Sequence, residues 1–233
     1  KFGVVICADG GYIEPARILA LRGAKLIFAP HFNFVADPIQ HYQMVRNDHV
    51  ARAIENGVYF LRANNVRLLT DGAQTYDSMI SAIGEAESYV LVQFYIVRDD
   101  GLGRRLQRAL IERLRAGVRV YFLYDAVGCY ELPDSYLQAL RAAGAQVHAF
   151  AGSNARIRRL QVNFRNHRKI LLVDGRTAFV GGHNVGDEYL GRHPKLSPWR
   201  DTHVAVTGPA AIAVQLAFVE DWYWAAHNTP ELN

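Results

Sequence analysis

Short β-branched and aromatic runs alternate with longer stretches of helical periodicity from one end of the sequence to the other, a pattern that predicts an α/β protein. Residues 2–6 read as a strand ending at Cys7, and an Asp-Gly-Gly turn leads into a helix over 14–22 stopped by Gly23. A strand over 25–29, a helix over 39–55 opened by Pro38 and closed by Asn56-Gly57, and a strand over 58–63 follow. That βαβαβ order predicts a parallel sheet. From Thr70 the alternation restarts, with helices over 76–86, 103–116 and 134–143 and strands over 89–97, 119–124 and 146–150. Two aliphatic runs, 170–173 and 177–180, flank Asp174-Gly175 and predict a hairpin. A strand over 199–208 and an amphipathic closing helix over 210–224 complete the pattern.

Composition sharpens this picture in a few places. The 233 residues are 50% hydrophobic, enough for a sizeable core in one large domain or two small ones. Net charge is +4 and the sequence pI about 9.1, which favours anionic partners without choosing between phospholipid and nucleic acid. Cys7 and Cys129 provide neither a disulfide framework nor zinc spacing. No apolar run approaches the ~20 residues needed to span a bilayer, so the chain reads as soluble or peripheral. It starts at Lys1, inside a predicted strand and without methionine, which suggests an excised segment.

The most specific chemistry lies in residues 166–184, NHRKILLVDGRTAFVGGHN. On a pleated strand His167 and Lys169 point to one side, setting an imidazole beside an ammonium. A lysine there binds an oxyanion such as phosphate, and a neutral histidine attacks its phosphorus; Asn184 is placed to add a donor. His167-x-Lys169-x4-Asp174, with Gly181-Gly182-His183-Asn184 beyond it, resembles the HKD motif of the phospholipase D superfamily. The words NHRKILLVDGRTAFVGGHNVGDEYLGR and WRDTHVAVTGP are similar to the first catalytic half of bacterial cardiolipin synthases, and so are LLTDGAQTYDSMISAI, VLVQFYIVRDD and GVRVYFLYDAVG. Gln93, where those proteins often carry glutamate, and Cys129, where serine is common, depart from the pattern.

This resemblance implies a mixed sheet flanked by helices over residues 67–233 and a two-step displacement through a phosphohistidine. His167 would be the nucleophile. Lys169 and Asn184 would bind the non-bridging oxygens, with Gly181, Gly182, Arg165 and Arg168 beside the substrate. Asp201 of WRDTH would orient the imidazole, and Asp174 would belong to the motif while chiefly fixing the turn. No metal or other cofactor is implied. The substrate would be an anionic phospholipid such as phosphatidylglycerol, with a second lipid alcohol or water as acceptor. Nucleic acid is a less favoured variant. The family is bacterial and associated with the cytoplasmic membrane. The sequence holds no second His-x-Lys-x4-Asp, so the general acid must come from elsewhere; a homodimer pairing two single motifs would supply it, as in some small nucleases of the superfamily.

Residues 1–66 carry a different resemblance. VVICADGGYIEPARILALRGAKLIFAP and ARAIENGVYFLRANN are similar to the C-terminal half of nitrilase-superfamily carbon-nitrogen hydrolases, whose nucleophile matches Cys7. A cysteine between a strand and a helix N-terminus is also chemically suited to that role. The glutamate and lysine of that family lie well upstream of the cysteine, and only six residues precede Cys7 here. This part is therefore expected to be inactive, leaving carbon-nitrogen hydrolysis, or a catalytically incomplete fusion, as the alternatives to phosphodiester chemistry. The seam falls near residues 64–67 with no Pro/Ser-rich linker. Two surface features stay open: Phe218, Trp222, Tyr223 and Trp224 suit a core stripe or a membrane interface. Arg156, Arg158, Arg159, Arg165 and Arg168 suit a solvated basic stretch or recruitment of anionic lipid.

Overall fold

A computed structural model describes residues 2–4, 13–30, 38–63, 65–150, 165–192, 199–208 and 210–232. The chain divides into two compact units, residues 1–67 with 205–213 and residues 68–204 with 214–233. Cys7 and the arginines at 156, 158 and 159 lie outside the described residues.

In the first unit, β1 (Phe2–Val4), α1 (Ile13–Leu21), β2 (Leu26–Pro30), α2 (Pro38–Asn56) and β3 (Tyr59–Ala63) form the predicted βαβαβ order. The sheet is parallel, β1-β2-β3, with Phe2 opposite Leu26 and Leu26 opposite Tyr59. Both helices end on a glycine at positive φ, Gly23 at 90° and Gly57 at 60°, after which the amides of Ala24 and Val58 turn back to Leu19 and Ala53. Ala16, Ala24, Ile27, Ala29 and Val58 form a small core.

The second sheet runs β4-β10-β9-β8-β5-β6-β7. Its strands are β4 (Asn65–Leu69), β5 (Tyr89–Phe94), β6 (Arg119–Asp125), β7 (Gln146–Phe150), β8 (Ile170–Val173), β9 (Thr177–Gly181) and β10 (His203–Thr207). Strands β5, β6 and β7 are parallel, whereas β8 is antiparallel to both β5 and β9, so the sheet is mixed. Its helices are α3 (Gly72–Gly84), α4 (Gly101–Arg115), α5 (Asp134–Ala142) and α6 (Ala211–Ala226). All residues of β5 and β8 are buried, as continuous aliphatic runs in a covered sheet must be.

Several boundaries differ from the sequence reading. α3 and α4 start earlier than the periodicity suggested because Asp71 and Asp100 cap them, accepting from the amides of Gln74 and Gly103 at 2.9 Å. β4 occupies a stretch read only as a seam. β5 stops at Phe94 rather than running to Val97; beyond it Val97 makes one parallel bridge to Val185. β10 begins at His203, four residues later than the predicted strand.

Candidate active site

His167 and Lys169 do not lie on a strand, because β8 begins at Ile170. They belong to an irregular run entering it, and Asn166 sets that run's shape. The Asn166 amide donates to Asp125 Oδ2 at 3.0 Å, and its side-chain Oδ1 accepts from the Arg168 amide at 3.0 Å, closing a tight turn around His167. The imidazole, exposed on one side, stacks on Tyr95 with ring centroids 4.0 Å apart and planes 21° off parallel. Lys169 Nζ lies 5.5 Å from the centroid of the same ring and donates to the His167 carbonyl at 2.5 Å. The two residues are thus gathered by one aromatic platform rather than by strand alternation. Burial lowers the Lys169 pKa, and the charge of Asp201 opposes that shift.

Past the hairpin, Gly181 and Gly182 allow the chain at 201–203 to approach. A Cβ on Gly181 would sit 2.3 Å from the Thr202 carbonyl oxygen, and one on Gly182 would sit 1.9 Å from Asp201 Oδ1. The Gly182 amide donates to that Thr202 carbonyl at 2.9 Å. Asp201 accepts from the Thr202 amide at 2.7 Å. Among the described residues it makes no hydrogen bond to the His167 imidazole, whose plane is set by Tyr95 instead. Asn184 is buried and rigidly held: Oδ1 accepts from the Ile96 amide at 2.9 Å, Nδ2 donates to the Tyr189 hydroxyl at 3.1 Å, and the Tyr76 hydroxyl donates to its carbonyl at 2.5 Å. Its amide nitrogen keeps a second N–H.

The other predicted residues sit apart from this chemistry or are engaged. Asp174, at φ 50° on the hairpin turn, lies at the far end of β8 from Lys169. Its carboxylate accepts from the amides of Glu87, Ser88 and Tyr89, each at 2.8 Å, and so caps the start of β5. Arg165 is exposed and donates to the Tyr95 hydroxyl at 3.3 Å. Arg168 turns away to Asp221 at 2.5 Å. Among the described residues no group of three or more His, Cys, Asp or Glu side chains is placed to hold a metal ion.

Behind Asp201 lies a buried histidine pair that the sequence reading did not use. His183 and His203 are stacked with centroids 5.3 Å apart and Nδ1 atoms 3.2 Å apart. The His183 backbone N–H donates to His203 Nδ1, so that nitrogen is an acceptor and the facing His183 Nδ1 carries the proton. Burial lowers both pKa values; that of His203 falls to about 3, with His183 adding to the shift and Asp201 opposing it. Tyr95, Asn166, Asp125 and Asp221 also shape the site without belonging to the motif. Two of them carry a signal as acids at apolar positions, Asp125 closing a buried strand and Asp221 beside Trp222 in an otherwise apolar helix face.

Residues 79–196 match the family described as cardiolipin synthase, PLD-like domain, and residues 1–89 match the carbon-nitrogen hydrolase family. Over 172 residues, 74% of this chain, the sequence is 56% identical to cardiolipin synthase A of Pseudomonas fluorescens and 54% identical to that of Pseudomonas aeruginosa. The chain covers 36% and 35% of those relatives, about a third of their length. Among solved structures, NucT from Helicobacter pylori superposes with a TM-score of 0.56 at 15% identity, over 69% of this chain and 97% of that one. Nuc from Salmonella typhimurium, a phospholipase D family member, does so with a TM-score of 0.50 at 15% identity and the same coverage. These two likenesses concern the fold. With its HKD hairpin, mixed sheet and family match over half its length, the chain belongs to the PLD-like domain family of cardiolipin synthases.

Proposed function

We propose that this chain supplies the nucleophilic half of a phosphatidyltransferase or phosphodiesterase of the phospholipase D type, with an anionic phosphatidylglycerol-like lipid as substrate. One observation carries the reading: an exposed imidazole is held flat on Tyr95 while the ammonium of the next residue but one is gathered over the same ring. In the first step an imidazole nitrogen of His167 forms a bond to phosphorus as the phosphorus–oxygen bond to the leaving glycerol breaks. Lys169, and the remaining N–H of Asn184, neutralise the charge on the non-bridging oxygens. The leaving alkoxide takes its proton from a second HKD histidine, contributed by another motif-bearing half or by a second copy of this chain. An acceptor alcohol or water then attacks phosphorus and gives its proton to that second histidine, the nitrogen–phosphorus bond breaks, and His167 is regenerated.

We read residues 1–66 as a separate, carbon-nitrogen hydrolase-like segment outside this reaction, and residues 67–233 as the phospholipase D-like domain. No helix of the described residues is long and apolar enough to cross a membrane. The test is release of head group from phosphatidylglycerol vesicles by the full chain, with molar mass measured by light scattering on the same fractions. A dimer whose release disappears in His167→Ala supports the two-copy form. A monomer active only when a second motif-bearing half is added supports the two-half form. Activity that survives His167→Ala but is lost to a thiol reagent would overturn the reading in favour of Cys7. DNA cleavage with steep salt dependence, without lipid turnover, would overturn the choice of substrate.

A further inference from the structure

We propose that Asp221 is a positioning residue for the nucleophile, fixing the His167 turn from the closing helix; the catalytic part of this claim rests on the function proposed above. Asp221 Oδ2 accepts from Asn166 Nδ2 at 2.7 Å and from Gln93 Nε2 at 2.7 Å, and Oδ1 accepts from Arg168 at 2.5 Å. One carboxylate therefore grips the residues immediately before and immediately after His167 and ties both to β5. The side chain is 13% exposed, so these bonds are made largely away from competing water. The helix that carries it is itself anchored: Phe218 and Trp222 are fully buried, and Trp222 meets Tyr121 and His148 edge-on. The grip thus runs from a packed core element to the flanks of a reactive ring that, among the described residues, is held by its stack on Tyr95.

Three donors converge on this side chain, and an ionised carboxylate is the group that accepts from all of them. An amide in its place would turn an NH2 group toward at least one donor and release that arm of the turn. A loosened turn lets the imidazole leave the in-line position, which slows the chemical step while phosphate binding through Lys169 and Asn184 continues.

The test compares Asp221→Asn with the unaltered full chain by amide hydrogen exchange, thermal melting and steady-state kinetics on phosphatidylglycerol vesicles. Exchange at Asn166 and Arg168 is expected to rise tenfold or more (about that for one lost hydrogen-bonded arm), with exchange in β8 unchanged. The kcat is expected to fall about tenfold or more with KM within about twofold. Combining Asp221→Asn with Asn166→Ala should cost no more than the worse single change, because both break one linkage. Should Asp221→Asn not fold, Arg168→Gln, at a half-exposed position, removes one arm alone and should move local exchange and kcat in the same direction. A lowered melting temperature with unchanged local exchange, or a loss confined to KM, would overturn the proposal. If the unaltered chain shows no turnover at all, the proposed function fails on its own, and the exchange comparison still decides whether Asp221 holds the turn.

Discussion

Lys169 is useful to phosphate only while charged, yet its half-buried position lowers its pKa, and Asp201 is the carboxylate that offsets this. Replacing Asp201 by Asn removes the offset. The lysine should then lose its proton at lower pH, so the alkaline limb of the pH–activity profile moves down; a profile unchanged in Asp201→Asn would contradict the pairing. Gly182 serves the same charge sterically, since any Cβ there would overlap the Asp201 carboxylate. Gly182→Ala is expected to cost about 1–3 kcal/mol in a denaturant melt and to shift the alkaline limb in the same direction. Asp174 works differently. Its carboxylate satisfies three backbone N–H groups at the start of β5, so Asp174→Ala should destabilise the fold by about 1–3 kcal/mol.

At the scale of elements, the β8–β9 hairpin was legible because an Asp-Gly turn between aliphatic runs has few alternatives. The grouping of His167 with Lys169 was legible as an outcome but not as a cause, since the strand pleat was invoked where an asparagine turn and a tyrosine platform do the holding. β4 escaped notice because a short strand flanked by asparagines carries little pattern of its own. The histidine pair escaped because a single histidine on a strand is usually solvated, and only the Gly-Gly approach of 181–182 to 201–203 buries both rings. That burial makes a pH prediction. Unfolded, each histidine takes a proton near 6.5; folded, burial lowers the pKa of both, that of His203 to about 3. The unfolded state then binds more protons, so the contribution of His203 is complete above about pH 6.5 and is lost toward about pH 3, by roughly 1 kcal/mol per pH unit, with His183 acting in the same direction. Denaturant midpoints should fall between pH 7 and pH 5, and the drop should shrink in His203→Gln, whose amide oxygen still accepts from the His183 amide. Equal drops in both proteins would contradict the assignment.

For the molecule as a whole, the compact units are not single stretches of sequence: residues 205–213 belong with 1–67, and 214–233 with 68–204. The closing helix resolves an ambiguity that composition left open. Phe218 and Trp222 are wholly buried, whereas Tyr223 is 57% exposed, so one aromatic cluster serves two surroundings. Trp222→Ala should cost about 3–5 kcal/mol and Tyr223→Ala less than about 1 kcal/mol in the same melt. What the sequence could not display is the source of the second histidine, because a single motif is compatible with a second copy or a second half. The nucleophilic role of His167 comes before that question in the reaction. Its most direct measurement is 31P NMR of the full chain mixed with phosphatidylglycerol and quenched in alkali, followed by peptide mapping. The account predicts a phosphoramidate signal mapping to His167 and absent from His167→Ala. Turnover with no such adduct, or an adduct on another residue, would contradict it.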